Sequence, residues 1–355
     1  MRFLLFIPAM ILLQMQMPSG QGKGNLHEKD TLTVIGVGDI MLGTDYPSSL
    51  YLPPGKDCRP LLTEVIPFLE NSDVTFGNLE GTFAGTAGKP KPCRDTTQCF
   101  VFRMPDHYVD CLAGAGFDMV SISNNHANDF GPEGRKQTER ILKKAGIAYA
   151  GSVTSPFAVL EKKGILFGLA AFSPFLGCYG ISDTLQALRI LNELREKCDV
   201  MIVSVHGGAE GAEHQHVTRE KEVYLGFDRG NIYRFAHMAV DAGADIVFGH
   251  GPHVTRAMEV YKGRFIIYSL GNFCTYGRFN LSGPNGIAPI MKVQVNKTGR
   301  FLVAQIIPVM QTGRGGVRPD PHGEVIRKLQ ELNKADFPEI PLKITDDGVV
   351  IQMVE

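Results

Sequence analysis

The sequence contains no tryptophan and almost no excess of charge of either sign. Its 355 residues carry 36 basic and 37 acidic side chains, which gives a formal charge of −1. A protein that coats nucleic acid or an anionic membrane surface carries a clear positive excess, so this balance argues against nucleic acid as a partner. The missing tryptophan removes one common anchor for sugar stacking.

Long hydrophobic segments are also missing, and the longest apolar run lies at the N-terminus. Residues 3–13 follow Arg2 and are interrupted only by Pro8. This run is shorter than the roughly 20 apolar residues that a membrane-spanning helix needs, but it suits the core of a secretory signal. We therefore expect residues 1–22 to be a signal peptide. The mature protein would be exported to the periplasm, the cell surface or the extracellular medium, with an uncleaved anchor or a buried N-terminal segment as the alternatives.

The seven cysteines include no C-x-x-C pair, which removes support for zinc-ribbon or thioredoxin-like chemistry. Cys93 and Cys99 bracket a polar, loop-like segment, and in an oxidising compartment such a pair typically forms a disulfide. A loop with both thiols free is the alternative. Cys111 and Cys198 lie among apolar residues of predicted helices, so we expect both to be buried thiols.

The hydrophobic pattern alternates between short β-branched runs and segments with helical spacing, in a chain that is 44% hydrophobic and 21% charged. This alternation predicts an α/β fold around a buried sheet. The predicted strands cover residues 33–37, 74–76, 119–122, 201–205 and 246–248. The predicted helices cover residues 61–69, 105–115, 133–145, 184–197 and 232–242. After residue 272 we predict strand hairpins at 289–295 and 301–308 and a helix at 324–332, as an added layer or small subdomain.

Polar side chains follow each of the predicted strands, at the point where the strand ends. They are Asp39, Asn78 with Glu80, Asn124 to His126, His206, and His250 with His253. The carboxyl ends of strands in an open α/β sheet meet at one edge, where ligands bind. Oxygen and nitrogen donors without sulfur suit Mn, Fe, Zn or Mg, so the pattern predicts a metal site. Taken singly, Asp39 could be a helix cap, and Asn124 or Asn125 a side-chain turn.

Ordered motifs between residues 33 and 273 resemble those of the CapA-type family of capsule or poly-γ-glutamate synthesis proteins. The motifs are Gly38-Asp39-Ile-Met-Leu-Gly, Gly77-Asn78-Leu-Glu80-Gly, Asn124-Asn125-His126-Ala-Asn-Asp, His206-Gly-Gly-Ala-Glu210, Gly249-His250-Gly-Pro-His253 and Tyr268-Ser-Leu-Gly-Asn272-Phe. The resemblance implies a calcineurin-like metallophosphoesterase fold, a four-layer α/β/β/α sandwich with a metal centre at the carboxyl ends of the strands. It places this domain at residues 31–276 and leaves residues 277–355 as strands, a helix and a tail that complete or pack on the core.

The resemblance also implies roles for individual residues. The implied metal ligands are Asp39, Asn78, Glu80, Asn125, His206, His250 and His253. His126 would donate a proton to the leaving oxygen, and Glu210 or Glu80 would orient water or substrate. Arg103, near the Cys93–Cys99 loop, is a candidate contact for an anionic substrate, with a solvated arginine as the alternative.

Three departures from the superfamily pattern bear on the number of metal ions. Met41 stands where the superfamily has a histidine, Asn78 stands where it has a bridging aspartate, and the last pair, His250 and His253, is spaced His-x-x-His. A neutral amide bridges two cations less well than a carboxylate does, so one metal ion is better supported than two. We expect one or two divalent ions of Mn, Fe or Zn.

These observations lead us to expect an exported, metal-dependent hydrolase of the phosphoesterase type that acts in the assembly of a capsule or of poly-γ-glutamate. Its substrate would be an anionic polymer or a phosphate-containing molecule, and subunits of a membrane polymer synthase are candidate partners. Two other functions remain open. One is a general exported metallophosphoesterase, and the other is a non-catalytic scaffold that assists the synthase.

Overall fold

The computed structural model describes residues 31–93 and 99–353. The predicted signal peptide, residues 1–22, lies outside the described residues. The strands are β1 (Thr31–Met41), β2 (Val74–Leu79), β3 (Met119–Ser121), β4 (Ala148–Ala150), β5 (Phe157–Lys162), β6 (Ile165–Phe172), β7 (Val200–His206), β8 (Glu222–Tyr224), β9 (Phe227–Gly230), β10 (Ile246–His250), β11 (Thr255–Tyr261), β12 (Arg264–Leu270), β13 (Asn272–Thr275), β14 (Ile287–Asn296), β15 (Phe301–Gln311), β16 (Val317–Pro319), β17 (Leu342–Ile344) and β18 (Val349–Gln352). The α-helices are α1 (Ile66–Leu69), α2 (Val109–Gly114), α3 (Gly131–Lys144), α4 (Thr184–Arg195), α5 (Ile232–Asp241) and α6 (Glu324–Asp336).

The strands form two large sheets and a small hairpin. The first sheet has the order β17-β18-β15-β14-β1-β2-β3-β4, with β13 paired to β1 and β16 paired to β15. The second sheet has the order β11-β12-β10-β7-β6-β5, and β8 pairs with β9. Strands β1 to β4 are parallel to one another, and so are β6, β7, β10 and β12. Each sheet is therefore mixed, with a parallel part whose strands end at the same edge.

The two large sheets pack face to face around an apolar core. Val34 and Phe76 from the first sheet and Ile202 and Phe248 from the second are fully buried in this core. The rings of Phe76 and Phe248 stack with their centroids 5.5 Å apart. Since each fully buried side chain of this kind contributes about 1.5–3 kcal/mol, the shared core holds the two sheets together strongly.

Helices cover the outer face of each sheet. Helix α5 buries an apolar stripe against the second sheet, and its first turn is capped by the Asn231 side chain, which accepts a hydrogen bond from the Arg234 N–H at 2.8 Å. Helix α4 lies on the same face. Helices α2 and α3 cover the outer face of the first sheet together with the segment before α1. The predicted four-layer α/β/β/α sandwich is therefore confirmed.

The C-terminal part of the chain extends the first sheet. Strand β14 pairs antiparallel with β1, so that Val34 lies opposite Val293, and β15 pairs antiparallel with β14. Helix α6 buries Val325, Ile326 and Leu329 in the core between the sheets. The described residues after 277 thus share a sheet and a core with β1.

Two helices are shorter than the hydrophobic spacing predicts. The predicted helix at 61–69 is an α-helix only over Ile66–Leu69, and the one at 105–115 only over Val109–Gly114. Pro67 lies in the first turn of α1, where a missing N–H is tolerated, so the helix cannot extend back to residue 61. The other predicted helices are confirmed within a few residues at their ends. None of the helices in the described residues is long and apolar enough to cross a bilayer.

The expectation that Cys111 is a buried thiol is wrong. Cys111 forms a disulfide with Cys58, which ties α2 to the segment that precedes α1. Apolar neighbours are typical of a buried thiol and of a buried disulfide alike, so the residues around Cys111 could not separate the two. Cys198 is a buried free thiol, as expected. A second disulfide joins Cys93 to Cys99.

Candidate metal centre

The carboxyl ends of strands from both sheets meet at one edge of the sandwich. Asp39 in β1 lies opposite Asn78 in β2, and Glu80 follows β2 directly. His206 ends β7 and lies opposite His250, which ends β10. All five side chains are buried. The structure therefore brings together predicted ligands that the chain supplies from widely separated segments.

Glycine residues allow backbone segments to approach closely at this edge. The Asp39 N–H donates to the Gly271 carbonyl at 2.9 Å, and a Cβ atom at Gly38 would lie only 1.9 Å from that same oxygen. A Cβ atom at Gly249 would lie 2.1 Å from the Tyr268 carbonyl oxygen. Since the obstructing atoms belong to backbone, a side chain at either position would displace the neighbouring ligand.

Asp39 has contacts on both of its carboxylate oxygens. Its Oδ1 accepts a hydrogen bond from Asn78 Nδ2 at 2.8 Å, and its Oδ2 lies 2.9 Å from His253 Nδ1. The Nδ1 of His250 lies 3.5 Å from Asp39 Oδ1. Burial alone would raise the pKa of the Asp39 carboxyl, but the contacts with His250 and His253 outweigh burial and hold that pKa well below its usual range. Asp39 is therefore ionised, which is the form that binds a cation.

Glu80 and His206 form a compact set of donor atoms with Asp39. One donor atom from each of these residues lies within 4.8 Å of the others. Burial, and then the charge of Asp39, raise the pKa of Glu80 well above its usual range. Burial lowers the pKa of His206 well below its usual range, so this imidazole is neutral, as a metal ligand must be. The two adjacent carboxylates are a pair that a cation would stabilise.

Several buried donor atoms in this region have no hydrogen-bond partner among the described residues. They are Glu80 Oε1, His206 Nε2, His250 Nε2 and Asn125 Oδ1. An unpaired buried polar atom costs about 1–3 kcal/mol, so such a group indicates residues that bind a ligand. Carboxylate oxygen, amide oxygen and imidazole nitrogen are donors that Mn, Fe and Zn accept. The side chains present therefore fit a divalent metal ion.

His253 lies between the two carboxylates. Its Nδ1 contacts Asp39, and its Nε2 lies 3.6 Å from Glu80 Oε1. Burial lowers the pKa of His253, but Glu80 and Asp39 outweigh burial and raise it to about 10. Its backbone φ of 59° lies in the left-handed region that favours glycine, a strain of about 1–3 kcal/mol that is found mainly at functional sites.

His126 is held by a carboxylate. Its Nδ1 lies 2.8 Å from Asp129 Oδ2, and its backbone N–H donates to Asn124 Oδ1 at 3.0 Å. Burial lowers the pKa of His126, which makes its protonated form a stronger acid. Because Nδ1 is occupied by Asp129, Nε2 is the nitrogen that can exchange a proton with a substrate.

The neighbouring asparagines have different contacts. Asn124 Nδ2 donates to Asn78 Oδ1 at 3.1 Å and to the Leu79 carbonyl at 2.9 Å, while its Oδ1 forms the side-chain turn with His126. The Asn78 amide is thus hydrogen-bonded at both ends, to Asp39 and to Asn124. Asn125 Oδ1, by contrast, is buried without a hydrogen-bond partner, as an amide ligand would be.

Glu210 and Arg103 both form ion pairs. Glu210 pairs with the buried Arg229, whose Nε donates to the Gly208 carbonyl at 3.0 Å. The charge of Glu210 acts on Glu80 and His253, so this carboxylate lies near the centre.

The positive charge of Arg103 is paired with a carboxylate of the protein. Its Nε lies 2.7 Å from Asp45 Oδ1, and its guanidinium lies over the ring of Phe130 at 5.2 Å from the centroid. A role in binding an anionic substrate would therefore require Arg103 to share or exchange its contact with Asp45.

Sequence reasoning missed Asp129 and Arg229. The signal for Asp129 was available, because a carboxylate three residues after His126 on a turn can reach the imidazole. Arg229 lies 19 residues after Glu210, beyond a loop and in the second strand of the β8–β9 hairpin, and no pattern in the sequence connects the two.

Comparison with known families decides where this chain belongs. The model of the family described as "Bacterial capsule synthesis protein PGA_cap" matches residues 33–276, a stretch that contains every residue of the centre described above. The chain belongs to this bacterial capsule synthesis protein family. The resemblance to the CapA-type family that the sequence motifs carry is thereby confirmed.

Relatives of the family include proteins from several bacteria. The capsule biosynthesis protein CapA of Bacillus anthracis is 27% identical over 70% of this chain, and the chain spans 60% of the length of that relative. The PGA biosynthesis protein CapA of Bacillus subtilis is 26% identical, over 80% of this chain and 73% of the relative. A Mycobacterium tuberculosis protein named "Probable polyglutamine synthesis accessory protein" is 29% identical over 62% of this chain and 61% of its own length.

Solved structures resemble this chain only distantly. A hypothetical protein from Thermus thermophilus has a TM-score of 0.47 at 19% identity, covering 79% of this chain and 100% of that chain. A purple acid phosphatase from yellow lupin has a TM-score of 0.39 at 10% identity, covering 83% of this chain and 55% of that chain. Both scores are too low to carry an argument, so the fold assignment rests on the sheet order and the layers of this structure.

Proposed function

We propose that this chain is an exported, metal-dependent hydrolase of the phosphoesterase type that acts in the assembly of a capsule or of poly-γ-glutamate. The observation that carries the proposal is the convergence of buried donor atoms without partners, His206 Nε2, His250 Nε2 and Glu80 Oε1, beside the ionised Asp39. Burying polar atoms without partners lowers the free energy of unfolding, so such atoms are expected at sites that bind a ligand or carry out a reaction.

A divalent ion of Mn, Fe or Zn would be held by Asp39, Glu80, Asn125, His206, His250 and His253. Asn78 supports this set by its hydrogen bond to Asp39. The amide of Asn78 carries no charge with which to bridge two cations, so the site favours one ion over two. When bound, such an ion lowers the pKa of water and stabilises negative charge that develops on a phosphoryl oxygen.

The protein's own residues supply the proton chemistry and the positioning. His126, oriented by Asp129, donates a proton from Nε2 to the leaving oxygen. Glu210, held by Arg229, would orient water or a hydroxyl group of the substrate. The surrounding burial removes bulk water and strengthens each of these interactions.

The substrate class follows from the chemistry and from the family together. A centre that stabilises negative charge at oxygen suits a phosphate-containing molecule, and an anionic polymer suits proteins named for capsule and PGA biosynthesis. Membrane polymer-synthase subunits are the partners that such an exported enzyme would meet. The Cys58–Cys111 and Cys93–Cys99 disulfides support an oxidising compartment and therefore export.

A non-catalytic accessory role is the second candidate. Two observations favour it: the mycobacterial relative is named as an accessory protein, and Asn78 stands where the superfamily has a bridging aspartate. An accessory protein would use the fold to hold a polymer or a synthase subunit and would need no turnover.

Metal content and turnover, measured on the mature protein, test the proposal. Purified protein reconstituted with Mn, Fe(II) or Zn should hold about one equivalent of metal and hydrolyse a panel of phosphomonoesters and phosphodiesters. His206→Ala and Glu80→Gln should each lose most of the metal and at least about 100-fold in rate, since even the loss of an outer-shell partner of a ligand typically costs about 10–100-fold. His216→Ala is the matched control, because this histidine also pairs with a carboxylate, Asp336, but its side chain is 64% exposed.

Each outcome decides between the candidates. A wild-type protein that binds metal but hydrolyses no ester, while His206→Ala still supports polymer production in cells, would favour the accessory role. Metal bound equally by wild type and by both ligand variants would contradict the centre itself.

A further inference from the structure

The carboxylate that holds His126 is itself held from two further directions. Asp129 is fully buried, and its Oδ2 accepts a hydrogen bond from the Phe102 backbone N–H at 2.6 Å in addition to its contact with His126. Its Oδ1 lies 2.5 Å from Lys91 Nζ, and its backbone carbonyl accepts from the Lys91 N–H at 2.7 Å. Each carboxylate oxygen therefore has a partner, an ion pair at Oδ1 and hydrogen bonds at Oδ2.

The two residues that hold Asp129 lie on either side of one disulfide. Lys91 precedes Cys93, Phe102 follows Cys99, and the bond joins cysteines six positions apart. Cys93 packs against a small apolar cluster that contains Phe130, the residue after Asp129. The disulfide thus connects the segment that supplies the Lys91 ammonium group to the segment that supplies the Phe102 backbone N–H.

Phe102 also contacts His126 directly. Its ring lies 4.2 Å from the imidazole, centroid to centroid, with the planes tilted by 32°. Phe102 is 2% exposed, so its ring has little room to move. A shift of the segment after Cys99 would therefore disturb the imidazole through the ring and through Asp129 at the same time.

From these contacts we infer that Lys91 and the Cys93–Cys99 disulfide are positioning elements for the proton donor His126. Their contacts with His126 run through Asp129 and Phe102. Without the disulfide, Lys91 and Phe102 can move independently of each other. The Asp129 side chain can then adopt several orientations, and only some of them keep its hydrogen bond to His126. The catalytic consequence rests on the proposed function of His126, whereas the positioning itself does not.

Two properties of one protein preparation test this inference. In histidine-labelled full-length mature protein, the His126 Nδ1–H resonance, assigned with His126→Gln, should exchange slowly with solvent. Lys91→Ala and the double variant Cys93→Ser with Cys99→Ser should each raise that exchange rate at least about tenfold, since each removes one support of the hydrogen bond. Lys91→Arg should restore most of the protection.

The second property is the dependence of rate on the leaving group. A displaced proton donor slows esters of poorly acidic alcohols far more than esters of p-nitrophenol, whose anion leaves without a proton. We expect kcat for an alkyl phosphodiester to fall about tenfold or more in both variants, with KM unchanged and with less than about threefold change for the p-nitrophenyl ester. A merely structural role would lower both rates together.

Matched controls separate this effect from general loosening. Lys89→Ala removes an exposed lysine two residues away, and the double variant Cys58→Ser with Cys111→Ser removes the other disulfide. Both should leave the His126 resonance and the leaving-group ratio unchanged. If the Cys93 and Cys99 double variant does not fold, Lys91→Ala carries the test with both disulfides intact.

The outcomes are distinguishable from those of the proposed function. Unchanged exchange at His126 in the folded variants would overturn the inference, whatever the activity. Faster exchange in a protein that hydrolyses no ester would support the positioning role while the proposed hydrolase function fails.

Discussion

Residues of the candidate metal centre interact strongly through their charges. His253 shows this most clearly, because it lies between Asp39 and Glu80 with a backbone φ of 59°. In the metal-free protein its imidazolium charge balances part of the negative charge that a cation would otherwise balance. Under the proposed function, the same residue would act in two states, as a charge partner without metal and as a neutral ligand with it.

This arrangement predicts how the stability of the metal-free protein depends on pH. Glu80 and Asp39 raise the pKa of His253 from its ordinary value of 6.5 to about 10. A group whose pKa is raised on folding contributes fully below its unfolded value, and that contribution is lost as the pH rises through the folded value. The free energy of unfolding of chelator-treated protein should therefore fall between about pH 6.5 and pH 10. The raised pKa of Glu80 acts in the same direction.

Denaturant titrations across that pH range provide the measurement. His253→Gln should flatten the dependence, whereas His237→Gln, at a partly buried ion pair with Glu259 on the outer face of the second sheet, should leave it in place. An equally steep decline in His253→Gln would contradict the assignment. Added metal should also flatten the decline, because a ligated imidazole cannot carry a proton.

At the scale of elements, the position of Asp39 depends on an irregular stretch of β1. The register between β1 and β2 shifts between Gly36 and Asp39, and Gly38 lies against the Gly271 carbonyl. A regular strand continuing through this point would keep the usual alternation of faces. The irregularity, made possible by glycine, is what brings the carboxylate to the sheet edge together with Asn78.

Gly38→Ala is expected to damage both stability and metal binding. Its Cβ would lie 1.9 Å from the Gly271 carbonyl oxygen, so the backbone must shift, at about 1–3 kcal/mol or more. The matched control is Gly114→Ala at the end of α2, where a Cβ meets nothing within 4 Å. That change should be neutral or should stabilise by up to about 1 kcal/mol. Thermal unfolding and metal stoichiometry of both variants check the prediction, and normal metal affinity in Gly38→Ala would count against it.

The elements also mark where sequence reasoning succeeded and where it stopped. The polar groups at the ends of apolar runs correctly indicated that Asp39, Glu80 and His206 lie together, but the local pattern did not indicate that they come from two different sheets. The spacing placed the end of the first strand at residue 37, whereas β1 continues through Asp39 to Met41. Strands β6 and β12 were missed although each contains a strongly apolar run.

Long-range pairing could not be read from local pattern. Nothing in the residues around Cys58 and Cys111 indicated a bond across 53 positions, and nothing in β14 indicated that it would pair with β1. Local spacing reports which face of an element is apolar, but the partner of that face depends on the whole chain.

At the scale of the whole molecule, the sandwich is built from two sheets that each supply part of one centre. Asp39, Asn78 and Glu80 come from the first sheet, and His206 and His250 come from the second. The relative position of the two sheets therefore decides the distances at the centre. The core between them, with Phe76 stacked on Phe248, maintains that position.

Export is the prediction that concerns the molecule as a whole. Protein recovered from the envelope or the medium should lack residues 1–22, since the short apolar run after Arg2 is typical of a cleaved signal. Intact mass and N-terminal peptide mapping measure this. Leu12→Arg interrupts the apolar run, so this variant should not be exported and should keep its N-terminus intact. An uncleaved N-terminus on exported wild-type protein would favour an anchored form.

The contact between Asp39 and His253 joins residues 214 positions apart. Bringing them together requires nearly the whole family domain to be synthesised and both sheets to be docked, at the entropic cost of a very long loop. A metal ion that binds only this completed arrangement stabilises it by mass action and does nothing for a partly made chain. Metal binding would thus follow the docking of the two sheets, and metal starvation would lower the free energy of unfolding of a domain that is already assembled.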